Sequence, residues 1–155
     1  MELEKAKAIA ERVKALLEPV CWEVVVAGSI RRRRPLVNDI DLVLVPKDRY
    51  AVDSILMTLG KVKMSGMKMA RVQMDSISLD VYYATPETLA TLLLIRTGSA
   101  ENNIKLCTIA KNRGWHLSAS GDGLFNEKRE RIAGDSEESI YEALGVPYQE
   151  PWQRR

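Results

Sequence analysis

Two aspartates, Asp39 and Asp41, stand one residue apart at the head of an apolar run that continues through Leu42, Val43, Leu44 and Val45. The run has the aliphatic and β-branched content of a buried strand. Side chains alternate along a strand, so both carboxylates share a face with Val43 and Val45, while Ile40, Leu42 and Leu44 take the other. Two carboxylates at the rim of a buried face repel each other and lose hydration, so one takes up a proton unless a cation lies between them. Hard divalent ions with oxygen ligands answer that need, and Mg²⁺ is the commonest in phosphate chemistry. The plain alternative is a pair of solvated aspartates at a strand end. Asp80 sits in a second strand-like run, residues 77–84, with Ile77, Leu79, Val81 and Tyr83 on its opposite face. If the two strands are neighbours, Asp80 is a third carboxylate converging on the pair. Three carboxylates can hold two metal ions about 3.5–4 Å apart, the arrangement that stabilises the attacking and leaving oxygens of an in-line displacement. Taken alone, Asp80 reads as a surface strand residue.

Gly28-Ser29 directly follows a strand-like run, residues 23–27, that carries the β-branched Val24-Val25-Val26. Glycine lets the backbone turn sharply, and the next N–H and hydroxyl can then face a phosphate. Gly-Ser is also a frequent turn. Its placement ahead of Asp39 and Asp41, with Arg32 between as a partner for phosphate oxygens, gives it weight. The chain has neither a Walker loop nor a Gly-x-Gly-x-x-Gly fingerprint.

The elements that must position these groups are legible from periodicity. Residues 2–17 carry Leu3, Ala6, Ala10, Val13 and Leu17 at helical steps, and Pro19 follows. Strands are expected at 23–27, 39–45, 68–74 and 77–84. A helix is expected over 49–59, with Asp48 as N-cap and Gly60 as stop. Thr85 and Pro86 are read as the N-cap and first residue of a helix whose body is the leucine-rich stretch 89–95. Ser99 caps a further helix reaching Arg113, with Ile104, Cys107 and Ala110 on its inner face. Short strands fill 115–132, and Asp135 with Glu138 forms a capping box for a last helix closed by Gly145 and Pro147. A lobe boundary falls near Pro86.

The 155 residues suit one domain or two small lobes, and 46% hydrophobic against 28% charged excludes disorder. The net charge is only +2, which excludes a bulk polycation. Placement is uneven: Arg31–Arg34 form a run, Lys61, Lys63, Lys68 and Arg71 follow, and Arg154 and Arg155 end the chain. Such patches suit a nucleotide or nucleic acid, although four arginines alone read first as a solvated surface run. No apolar stretch approaches a membrane span. Cys21 and Cys107 are far apart and in no metal spacing, so a reduced, cytoplasmic or otherwise intracellular setting is expected. His116 is read as structural. Trp22, Trp115 and Trp152 are read as packing residues, with Trp152 placed to touch nucleic acid.

Through Gly28-Ser29 and Asp39-Ile40-Asp41 the chain resembles the nucleotidyltransferase superfamily, and within it the family X, DNA polymerase beta type, DNA polymerases. The narrower resemblance rests on residues 28–46, on Asp80 followed by Thr97-Gly98-Ser99 and Asn103, and on the tail segments GWHLSASGDGLF and EESIYEALGVPYQEP. It implies an α+β fold: a nucleotidyltransferase palm with a mixed β-sheet over residues 1–86 and a small α/β thumb over 87–155. It implies that Asp39, Asp41 and Asp80 are catalytic and bind two Mg²⁺ ions, with Mn²⁺ able to substitute, and that Asp80 favours deprotonation of the primer 3′-hydroxyl. Gly28, Ser29 and Arg32 would hold the nucleotide's triphosphate. Thr97, Gly98 and Ser99 would line its sugar and base, and Asn103 would reach the minor-groove edge of the base. The implied activity is DNA-directed DNA synthesis in gap filling or repair. The implied partners are primer-template or gapped DNA and deoxynucleoside triphosphates, with no membrane, and the protein is expected to be a monomer.

The pattern also departs from the family. Ile95 and Arg96 stand where the beta-type enzyme has an aromatic pair, Ala100 replaces an acidic residue, and Cys107 replaces a template-contacting arginine. A flexible Arg96 and a smaller Ile95 leave less fixed volume beside the sugar. With no lyase or helix-hairpin-helix segment before residue 1 and no nuclease-like segment after residue 155, the expectation is a compact palm-and-thumb form like those of some viruses. Two other functions compete. One is a minimal nucleotidyltransferase of the antitoxin kind, acting on protein or RNA. The other is a non-catalytic DNA-end-binding module, which would have no need of three converging carboxylates.

Overall fold

The structure is a computed structural model that describes residues 1–155. It is α+β: a five-stranded mixed sheet and a three-stranded antiparallel sheet, each packed with helices. The first helix, α1 (Leu3–Leu17), buries Ala6, Ala10, Val13 and Leu17, the stripe its periodicity marks. Strand β1 (Cys21–Val26) then leads through Ala27 into a four-residue helix, α2 (Gly28–Arg31). Strand β2 is Asp39–Pro46 and helix α3 is Arg49–Leu59, with the Asp48 carboxylate accepting from the N–H groups of Tyr50 and Ala51. A hairpin follows, β3 (Lys61–Ser65) with β4 (Met69–Gln73), and then β5 (Ser78–Tyr83).

The sheet order is β1-β2-β5-β4-β3. Strand β5 inserts beside β2 in parallel, which the long crossover through α3 and the hairpin permits; the other pairs are antiparallel. In this register Asp41 lies opposite Asp80. One face of the sheet, carrying Ile40, Leu42, Leu44, Leu79 and Val81, packs on α1 and α3. The other carries Val43, Val45, Tyr82 and Ala84 and is covered in part by Leu92 of helix α4 (Leu89–Thr97). By strand alternation the three aspartates are on this second face, at the end beyond the apolar contacts with α4.

Beyond α4, helix α5 (Ala100–Asn112), the small sheet of β6 (His116–Leu117), β7 (Leu124–Phe125) and β8 (Arg131–Ala133), and helix α6 (Glu137–Leu144) enclose a second core of Leu94, Leu106, Leu117, Leu124, Ile140 and Tyr141. Thus α4 faces the large sheet through Leu92 and the second core through Leu94 and Ile95. No helix is long and apolar enough to cross a membrane.

Several local expectations shift. Thr85 does not cap α4: its carbonyl and hydroxyl accept from Thr88 and its carbonyl from Leu89, making a separate turn, and α4 starts at Leu89 after Thr88. The inner face of α5 is Asn102, Leu106 and Ala110, and Ile104 is 65% exposed, because the helix is rotated so that Asn102 can donate to the Tyr141 hydroxyl. Ser136 and Ser139, one residue later than Asp135 and Glu138, form the capping box of α6. Strand β3 has no counterpart among the expected elements, since its exposed lysines protect a sheet edge and leave no apolar alternation to read.

A cluster of charged side chains is buried in this fold. Glu137 and Arg154 are buried, not solvated. Glu137 accepts from both terminal nitrogens of Arg31, at 2.6 and 2.9 Å, and from Arg154 at 2.7 Å. Arg31 also donates to the Thr97 hydroxyl, and Arg154 donates to the Gln149 carbonyl. Two guanidinium groups and one carboxylate therefore tie α2, α4, α6 and the C-terminal segment together. Burial pushes the Glu137 carboxyl up, but the Arg31 hydrogen bond and the Arg154 charge outweigh it and hold the group below the usual range.

Glu137→Gln leaves a buried Arg154 without its counter-charge and should cost about 3–5 kcal/mol at pH 7. Because the folded value is depressed, the carboxylate's contribution is complete above the ordinary value near 4.5 and is lost as pH falls through the folded one. The gap in melting temperature between parent and variant should be wide at pH 7 and narrow on acidification below about pH 4. Equal melting temperatures at pH 7 would mean that the triad contributes nothing net.

Candidate active site

A cavity of about 520 Å³ lies between the uncovered end of the large sheet and the α4–α5 junction. One side is built by Gly28, Ser29 and Arg32 of the β1–α2 turn and by Asp39 and Asp41 of β2; the other is built by Thr97, Gly98, Ser99 and Asn103. Nine of the ten residues singled out in the sequence thus line one cavity. Asp80 does not line it. It lies buried beside Asp41, with its carboxylate accepting from Arg71 Nε at 2.7 Å and Nη2 at 3.3 Å. The expected convergence is therefore incomplete, and the acidic side chains as they stand form no three-ligand metal cluster. Arg71, opposite Asp80 in the β4–β5 register, engages that carboxylate, while Asp41 lies opposite Asp80 on the other side, in β2.

Asp41 is the most perturbed group. Burial pushes its carboxyl up, and the charges of Asp80 and Asp39 add to the effect, against relief from Arg96 and Arg32, so that it titrates at about 7. Asp39, at the strand end, is exposed. The backbone approach at Gly28 is tight: its φ is +62°, and a Cβ there would collide with Asp41 Oδ2. Only glycine lets the turn close over the carboxylate.

Two buried polar atoms among the cavity residues lack partners, Arg32 Nε and Asn103 Oδ1. The Asn103 amide nitrogen is engaged, donating to the Ile95 carbonyl at 2.8 Å, which fixes the side chain with its oxygen free. An orphaned donor and an orphaned acceptor in one polar cavity are what a bound polar ligand would satisfy. The Ser99 hydroxyl accepts from the Asn102 N–H as the cap of α5, and the Gly98–Ser99 peptide is cis. The Thr97 hydroxyl is taken by Arg31, leaving Thr97 a linking residue at the cavity wall.

Arg34, Asn38, Tyr82 and Arg96 also line the cavity and were not among the nucleotide-site residues expected. Tyr82 was the most readable, being two residues from Asp80 on the same strand face. Arg96 is exposed, and its guanidinium stacks 4.2 Å from the Tyr82 ring centroid. The tryptophans differ from expectation too. Trp22 is 69% and Trp152 43% exposed, each stacked against a cation, Lys47 and Arg33 respectively.

In chelator, the raised Asp41 value has a definite sign. The folded state holds a proton that the unfolded state has lost between 3.8 and about 7, so stability declines across that window as pH rises. The melting temperature of the parent should fall from pH 5 to pH 8 relative to Asp41→Asn, which has no proton to lose. Parallel profiles would show that Asp41 titrates normally.

Residues 92–155 match the DNA polymerase beta thumb family model. The chain is 33% identical, over 127 residues covering 78% of it, to the DNA polymerase/3′-5′ exonuclease PolX of Bacillus subtilis. It spans only 22% of that relative's length. Its fold is similar to that of Leishmania infantum polymerase beta, solved as a ternary P/T complex, with a TM-score of 0.83 and 18% identity, covering all of this chain and 76% of that one. Thumb, relative and fold point the same way, and together they support a relation to the family X, DNA polymerase beta type, polymerases.

Proposed function

We propose that the chain is a DNA-directed DNA polymerase, with residues 1–86 as its palm and 87–155 as its thumb, which adds deoxynucleotides to a primer 3′-hydroxyl on gapped or primed DNA in repair. The observation that carries the reading is the single cavity in which an aspartate pair faces Gly98, Ser99 and Asn103 across Ser29 and Arg32. The activities of the two relatives agree with it.

The donor set fits Mg²⁺. Asp39 and Asp41 offer hard oxygens, and Asp41 is held near 7 by burial and two neighbouring carboxylates, a condition that a cation relieves. Asp39, Asp41 and Asp80 would hold two such ions, which neutralise phosphate charge when bound. The chain's own residues do the rest. The Ser29 hydroxyl and the Arg32 guanidinium bind phosphate oxygens, and the unpartnered Arg32 Nε gains an acceptor. Asn103 Oδ1 accepts from the base edge, and Gly98 gives the sugar close access to the backbone. Asp80, once released from Arg71, completes the metal site and favours deprotonation of the primer hydroxyl. The new bond forms from that oxygen to the α-phosphorus, and the bond to pyrophosphate breaks. Such transfer needs placement and charge neutralisation above all.

The test is incubation with gapped duplex, Mg²⁺ and single deoxynucleoside triphosphates, resolving the primer by length. Templated addition of one nucleotide is expected, reduced by about 10²-fold or more in Asp80→Asn. Label found on the protein or on added RNA would indicate the minimal nucleotidyltransferase instead. Duplex binding with no product from either would leave a binding module.

A further inference from the structure

Asp80 has two neighbours of opposite sign. Across the parallel pairing with β2 it faces Asp41, and across the antiparallel pairing with β4 it faces Arg71. Residues opposite one another in a sheet project from the same face, within side-chain reach. The central carboxylate can therefore serve either flank: a guanidinium on one side, or a cation shared with Asp41 on the other. In this structure the guanidinium has it. Both carboxylate oxygens accept, Oδ1 from Nε and Oδ2 from Nη2.

The two partners are unequally held. The Asp80 side chain is 8% exposed and that of Arg71 is 46% exposed. Arg71 makes no other side-chain hydrogen bond and no other ion pair. The arginine is thus the member that can leave without disturbing the sheet. It also has somewhere to go. Lys61 of the edge strand β3 lies opposite Gln73, two residues on from Arg71, so Lys61, Gln73 and Arg71 share one exposed face of the hairpin. Lys61 enters no ion pair. A row of a free ammonium, an amide and an exchangeable guanidinium suits the phosphodiesters of a strand lying along it.

A divalent ion and Arg71 compete for Asp80. The ion would bind about 2.1 Å from a carboxylate oxygen, beside a guanidinium already hydrogen-bonded to the same group, and the two positive charges repel. We propose that Arg71 is an exchangeable counter-ion. It holds Asp80 in the free protein, moves to a backbone phosphate when nucleic acid binds, and so opens the third carboxylate to a cation only on a bound strand. Arg71 is then a positioning residue, and cation binding is coupled to nucleic-acid binding. The inference rests on the polymerase reading only in taking Asp80 as a cation ligand.

The test is a Mn²⁺ titration of the full chain, alone and with a duplex whose primer ends in a dideoxynucleotide, the Mn²⁺ held by the duplex alone being subtracted. In the parent the duplex should tighten Mn²⁺ binding by about tenfold. Arg71→Gln should bind Mn²⁺ more tightly than the parent by about that factor without duplex, and should gain nothing from it. Arg71→Lys, which keeps the charge without the fork, should retain part of the coupling. A second readout covers a folding defect. The melting temperature of Arg71→Gln should lie below the parent's in chelator, where Asp41 and Asp80 repel without relief, and should rise more than the parent's on addition of Mg²⁺. Equal Mn²⁺ affinity of parent and Arg71→Gln without duplex, or an equal gain from duplex, overturns the exchange. Unchanged Mn²⁺ binding in Asp80→Asn overturns the exchange together with the ligand assignment. Coupling lost in Arg71→Gln, with no primer extension by the parent, would keep the exchange and remove the polymerase reading. Extension with the coupling unchanged in Arg71→Gln would do the reverse.

Discussion

A carboxylate buried between two guanidinium groups joins the halves of this molecule. Glu137 belongs to α6, Arg31 to α2, and Arg154 to the C-terminal segment. Neither Glu137 nor Arg154 would tolerate burial alone, since removing a charge from water is offset only by a partner and full hydrogen bonding. Each therefore requires its partners to be in place. Arg31 directly precedes Arg32 and donates to Thr97, which directly precedes Gly98. The ion cluster thus holds the two walls of the cavity at a set separation, and the site depends on a contact that takes no part in its chemistry.

Within the cavity the governing term is desolvated negative charge. Asp41 is packed beside Asp80 by the parallel pairing of β2 and β5 and sits two residues from Asp39. Its raised titration value is the cost of that packing. The structure sets positive charge nearby without cancelling it. Arg71 takes Asp80, Arg96 lies on Tyr82, and Arg32 reaches the cavity with an unused donor. Charge of both signs held apart in one partly buried space is poised for ligands that carry both, such as a cation together with a phosphate.

The sheet explains why so small a chain can sustain this. Its fully apolar face rests on α1 and α3 and supplies most of the core. The opposite face is apolar only where α4 covers it, and polar at its open end. One surface thus serves both stability and chemistry, divided along the strands and not between layers.

Most of the strands and helices, and most of the residues that line the site, could be read from the sequence because they rest on short-range rules. The alternation in residues 39–45 places Asp39 and Asp41 on one face, helical steps give α1 and α3, and glycine followed by serine marks the turn at Gly28. Long-range pairing could not be read this way. That β5 lies beside β2, that Arg71 rather than Asp41 engages the Asp80 carboxylate, and that Arg96 finds Tyr82 all follow from sheet order and register. The same holds for charge. Arg31, Glu137 and Arg154 are as polar in sequence as any exposed residue, and only partners 106 and 17 positions away in the chain make burial of Glu137 possible. The sequence by itself determined which groups are present and which way they point along each element. The tertiary structure decided which charges meet, because an ion pair's worth depends on distance and on exclusion of water, and neither is a local property.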